Sequence, residues 1–248
     1  MNDLSLVWLF LAAIPVGMFA IIIGGAAVLS FAVFQTLFPG MALAAIVGNT
    51  ELGSVLRNGS SLISLRKDVD YKRISSLLLA LGTGAVIGAL LIVDVTQIMI
   101  VPILALGFLV MEFSDRIARL ITGRTYIVMT FLVGIYGGMF GAGVSLLLVS
   151  LIRIKYSVDA DIYKTRADAI FLEISFAVLA LMVFIYYGLI ILPIALTWAA
   201  GAIIGGYLGG VLLKRTGRLS GSAQKNILRG AFAFAIAEAV WHVIRNPP

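Results

Sequence analysis

The chain has 248 residues, of which 61% are apolar and only 12% charged, with a net charge of +6. That composition leaves too few polar groups to cover a soluble globule, and apolar stretches of bilayer length run from end to end, so it reads as one integral membrane domain over 1–248, all-α and polytopic. The positive charge sits in short loops facing anionic headgroups, which excludes nucleic acid, and with no cysteine and one histidine neither thiol chemistry nor a multi-histidine metal site is available.

The first hydrophobic segment, 5–33, follows a start with no basic residues, so it reads as a retained segment and not a cleaved leader. It is interrupted by Gly24 and Gly25. After 34–40, bare of Lys and Arg, comes 41–65, then a basic loop at 66–73. Segments 74–93 and 96–113 follow, separated by a bare turn at Asp94, and 114–124 is basic. The fifth segment, 125–152, is again glycine-broken, at Gly137, Gly138, Gly141 and Gly143. Beyond the basic stretch 153–166 lie segments 164–189 and 193–213, a basic loop at 214–229, and a last segment at 226–245.

The chain repeats itself. Val16-Gly17 and Gly24 return 117 residues later as Val133-Gly134 and Gly141, and Gly84-Ala85-Val86-Ile87-Gly88 returns at the same offset as Gly201-Ala202-Ile203-Ile204-Gly205. Repeat one spans about 5–113 and repeat two about 125–245. If all eight segments crossed, the basic loops would divide almost evenly between the two sides. If segments 1 and 5 enter and leave on one side, sixteen of the eighteen basic residues fall in cytoplasmic loops. The expected architecture is therefore two inverted-topology repeats, each a glycine-broken re-entrant hairpin plus three transmembrane helices. The arms of each hairpin would be about 20 Å long, and glycine permits the reversal without a Cβ clash.

Ionisable residues inside apolar segments are functional candidates. Arg57 lies in the second segment on a polar stripe of Asn49, Gly53, Arg57, Ser60 or Ser61, and Ser64 at helical spacing. The sixth segment has a shorter stripe of Thr165, Asp168 and Ser175, and Thr50 and Thr165 occupy similar places in the two copies. Arg57 either forms an ion pair with Glu51 or Glu173, or serves a buried anion. Two glycine tips would aim backbone N–H groups at the bilayer centre, which favours a small anion. The expected substrate-binding set is Gly24, Gly25, Asn49, Thr50, Arg57, Gly141, Gly143 and Thr165, with Glu51, Asp168 and Glu173 for coupling or ion pairing. Glu238 and His242, four apart near the end of the last segment, read as a local pair or a proton site. No catalytic residue is assigned, and the remoteness of His242 argues against an intramembrane serine protease.

The glycine-rich break, the run Ile46-Val47-Gly48-Asn49-Thr50, its counterpart Lys164-Thr165-Arg166 and the later Gly-x-x-x-Gly helices, all duplicated, resemble the TauE/SafE sulfite exporter family, also called the toluenesulfonate uptake permease family. The resemblance covers about 12–245. The long glycine run of the family is shortened here, and the second copy lacks the glycine before its threonine. The resemblance implies a secondary transporter in the inner cell membrane that exports sulfite or an organosulfonate such as sulfoacetate. The residues alone stop at a small anion, and leave open a small-anion channel or a transporter of another carboxylate or oxyanion. No G-x-x-x-x-G-K-[ST] run is present, so the chain itself does not use ATP. The expected partners are a small anion and the lipid bilayer, and a homodimer is compatible with the reading.

Overall fold

The computed structural model describes residues 3–96, 99–113, 116–117, 125–141, 144–156, 162–216 and 221–245. Ten α-helices account for nearly all of them: α1 Asp3–Ile22, α2 Ala26–Leu37, α3 Leu43–Leu65, α4 Tyr71–Val93, α5 Ile100–Glu112, α6 Tyr126–Met139, α7 Val144–Tyr156, α8 Ile162–Tyr186, α9 Leu192–Thr216 and α10 Gly221–Arg245. Their ends follow from local chemistry. Phe38, Pro39 and Gly40 stop α2, because the residue before a proline is pushed out of helical geometry. Asp70 caps α4 by accepting from the Arg73 N–H at 3.0 Å. Gly188, at φ 67°, turns the chain out of α8.

Among the described residues, four helices are long and apolar enough to cross a bilayer: α1, α4, and the spans Lys164–Tyr186 of α8 and Leu192–Arg215 of α9. The chain is a multi-pass membrane protein. Helix α3 has the length but carries Asn49, Glu51, Arg57 and Asn58. Helix α5, at 13 residues, is about 20 Å long, short of the crossing expected over 96–113. The glycine-broken segments also differ from two half-length arms. Helix α1 has 20 residues, about 30 Å, whereas α2, α6 and α7 have 12 to 14 residues and are close to the expected 20 Å. The reason is the position of the break, which lies about two-thirds of the way along the first apolar run and near the middle of the fifth.

Helix α9 lies between α1 and α3, and α4 lies between α6 and α8; α3 packs on α8, and α5 on α10. The pairings α1 with α9 and α6 with α4 are made through glycine. A Cβ added to Gly201, Gly205, Gly84, Gly88, Gly134 or Gly138 would stand under 3.0 Å from a facing backbone carbonyl or side chain. Small residues of this kind let backbones approach and gain dispersion and Cα–H···O contacts that lipid cannot supply. The register departs from the sequence offset by one turn. Gly84 lies against the Phe131 carbonyl and Gly205 against that of Ile14. Ile14 and Phe131 are 117 apart, but Gly84 and Gly205 are 121 apart. The packing thus matches Gly84 with Gly205, where sequence spacing matches it with Gly201. Large apolar side chains such as Leu79, Ile127, Met182, Leu192 and Phe234 cover the outside, as a lipid-facing surface requires.

Candidate functional site

Both glycine breaks open onto one cavity. Gly24, Gly25 and Gly141 have φ of 92°, 75° and 69°, a left-handed conformation that costs other L-residues about 1–2 kcal/mol. Gly25 and Gly141 line the cavity, with Ala26 and Ala27 from the first turn of α2 and Val144 and Ser145 from the first turn of α7. Two helix N-termini, the ends that carry the partial positive charge of a helix, therefore border the same space. The volume open to the centre of a water-sized sphere is about 50 Å³. At about 10–15 Å³ per water on that measure, the space suits a few waters or one small oxyanion.

Helices α3 and α8 supply the charge. Arg57, only 7% exposed, lines the cavity with Thr50, Glu51, Ser54 and Asn58, and Glu173 faces them from α8. The Arg57 Nε donates to Asn58 Oδ1 at 3.1 Å, and Asn58 Nδ2 donates to Glu173 Oε2 at 3.3 Å. Among the described residues, neither terminal nitrogen of Arg57 has a hydrogen-bond partner and no carboxylate lies within 4.0 Å of it. Direct pairing with Glu51 or Glu173, one of the two expected arrangements, is not what the structure holds. Glu173 is instead held by Arg166, whose Nη1 is 3.8 Å from Oε1, and by the Ser145 hydroxyl. Arg166 also donates to the carbonyls of Ala20 at 2.7 Å and Ile21 at 3.2 Å, and so caps the C-terminal end of α1 at the first break. A cation at that end meets both the last carbonyls of the helix and the negative end of its dipole.

Arg166 corrects the sequence reading. It was counted among the loop charges of 153–166, yet it is 4% exposed inside α8. The other expected site residues divide. Gly25, Thr50, Glu51, Arg57, Gly141 and Glu173 line the cavity; Gly24 stands behind it against Ser145 and Arg166. Gly143 lies outside the described residues. Asn49 does not reach the cavity. It accepts from the Ile191 N–H at 2.9 Å and donates to the Leu189 and Ala45 carbonyls at 3.2 and 2.6 Å, tying α3 to the α8–α9 turn. Thr165 is fully buried away from the cavity, and Asp168 binds Arg73 and the Asp70 N–H, fastening the start of α4 to α8. The polar stripe of α3 is split likewise. Gly53 makes room for Trp198, and Ser60 bonds back to its own helix and to Ile203 of α9.

Ser145, Asn58, Ser54 and Arg166 were missed. A signal for three of them was present, because Ser30 and Ser145, Asn58 and Glu173, and Glu51 and Arg166 all share the 115-residue offset of Thr50 and Thr165. Ser30 also lines the cavity. The two copies thus place like serines, Ser30 and Ser145, and unlike partners, Asn58 with Glu173 and Glu51 with Arg166, at matching positions around one space.

No curated protein and no solved structure has significant similarity to the chain. A family profile described as Sulfite exporter TauE/SafE matches residues 9–237, nearly the whole chain and both helix breaks. The chain therefore belongs to the TauE/SafE sulfite exporter family of membrane transporters.

Proposed function

We propose that the protein is a secondary transporter of the inner cell membrane that exports a small sulfur-containing anion, sulfite or an organosulfonate such as sulfoacetate, by alternating access. One observation carries the reading. Arg57 offers unpaired terminal nitrogens to a small cavity that two broken helices also face with their N-termini. A guanidinium fork and helix-end amides are suited to oxyanions, and an arginine inside an apolar zone costs about 2.5–3.5 kcal/mol to insert, which marks it as a functional candidate. Family membership supports a sulfur anion in place of another carboxylate.

The inverted repeat supplies the moving parts. Exchanging α1–α5 for α6–α10 maps the contact of α1 with α9 onto that of α6 with α4, and the contact of α3 with α9 onto that of α8 with α4. In this reading each broken segment is re-entrant, packs on the fourth helix of the other copy, and rocks with it around the cavity. The test is counterflow. Protein in liposomes preloaded with unlabelled sulfite should accelerate entry of labelled sulfite, because trans-acceleration belongs to a carrier and not to an open pore. Equal rates with and without the internal anion would reject alternating access in favour of a channel.

A further inference from the structure

Glu51 is the ionisable group in the cavity that the proposed anion site leaves unexplained. It is half-buried, and among the described residues it makes no hydrogen bond and no ion pair within 4.0 Å, although it faces Arg57 on its own helix and Glu173 on α8. Beyond Glu173 stands Arg166. The walls from α1, α2, α6 and α7 bring no ionisable side chain to the cavity among the described residues. Lys72 and Arg73 of α4, and Lys214 and Arg215 of α9, do not line it. The charges are therefore two arginines and two glutamates. With both glutamates ionised they cancel, and the cavity has no net charge to offer an anion. With one proton bound, it has a charge of one to offer.

The position of Glu51 says which glutamate takes the proton. The oxygens of Glu173 already accept from Ser145 and Asn58 and face Arg166, so a proton there would displace an existing partner. Glu51 has none to displace. Its match in the second copy, 115 residues on, is Arg166, which donates to the carbonyl end of α1 at the first break. Glu51 correspondingly shares the cavity with Gly137, Phe140 and Gly141, at the carbonyl end of α6 and the second break. An ionised carboxylate has nothing to donate to such an end, and a carboxylic acid does.

Resting on the anion-transport reading above, we infer that Glu51 is a proton-binding site linked to the substrate, so that the protein carries a monovalent anion together with one proton. Binding of either partner favours the other, because each supplies the charge the other lacks, and linkage makes the effect reciprocal. One anion and one proton move no net charge, so transport should follow the pH gradient and ignore the membrane potential, and net export then requires an outward anion gradient steeper than the inward proton gradient.

Methanesulfonate is the probe, because it stays fully ionised and its own charge does not titrate, unlike that of sulfite. In liposomes with the wild-type protein, labelled methanesulfonate should accumulate against its gradient when a pH difference is imposed at zero potential. It should not respond to a potassium–valinomycin potential at equal pH. Glu51→Gln should lose the pH-driven accumulation and gain a response to potential, since its cavity keeps a permanent positive charge. As a check independent of any variant, wild-type protein in weakly buffered detergent should take up about one proton per methanesulfonate bound. Its affinity should fall up to about tenfold per pH unit on the alkaline side. Accumulation driven by potential in the wild type, pH-driven accumulation retained in Glu51→Gln, dependence on sodium in place of pH, or no proton uptake on binding would each overturn the inference. Those outcomes leave anion transport standing. Absence of both binding and flux for methanesulfonate and sulfite under every condition would instead bring down the transport reading, and the proton site with it.

Discussion

Arg57 and Arg166 are both buried cationic side chains near one cavity, and their contacts differ. Arg166 caps two carbonyls of α1 and faces Glu173 at 3.8 Å. Arg166→Gln uncaps that helix end and leaves Glu173 without its cation, the kind of loss that costs about 3–5 kcal/mol. Among the described residues, the Arg57 side chain makes one hydrogen bond, to its neighbour Asn58. Losing a bond of that type costs about 1.5–3 kcal/mol, while removing the charge recovers about 2.5–3.5 kcal/mol of insertion cost, so the two nearly cancel. At about 2–4 °C per kcal/mol for a chain of this size, Arg166→Gln should lower the unfolding midpoint by roughly 6–20 °C and Arg57→Gln by less than about 4 °C. Thermal unfolding of purified protein in one detergent at one scan rate gives the ranking even where unfolding is irreversible. The same scans with sulfite added should show ligand stabilisation in the wild type and none in Arg57→Gln. An Arg57→Gln protein less stable than Arg166→Gln, or one still stabilised by sulfite, would refute the division of roles.

Gly88→Ala should destabilise by about 1–3 kcal/mol, because its methyl meets the Ile135 carbonyl across the α4–α6 contact, whereas Gly230→Ala, with nothing within 4 Å, should be neutral or stabilising in the same unfolding assay. Asn49→Ala should cost about 2–4 kcal/mol by stranding the Ile191 N–H and the Leu189 carbonyl, and hydrogen exchange should quicken at 187–191 before it does elsewhere. For topology, cysteines placed at Lys67 and Arg153, both exposed, should be shielded from an impermeant thiol reagent in intact cells; labelling of either from outside would contradict the inverted repeat.

Membrane class, the glycine breaks and a buried place for Arg57 were legible along the chain, because each rests on one-dimensional signals. An apolar run of bilayer length is helical whatever surrounds it, two adjacent glycines are the weak point of any helix, and a lone cation in an apolar stretch needs a reason wherever it ends up. Partnership was not legible. Asn49 and Arg57 lie on one stripe with equal claims to a substrate, and only the turn at Leu189 and Ile191 directs Asn49 to a structural task. Arg166 sits beside Lys164 in a run that reads as loop charge, and only the approach of the end of α1 gives it two carbonyls and a carboxylate to bind. The one-turn slip between Gly84 and Gly201 has the same origin. A repeat in sequence preserves spacing along each helix, but the contacts between helices are chosen by which backbones can approach most closely, and that is settled only when both surfaces are present.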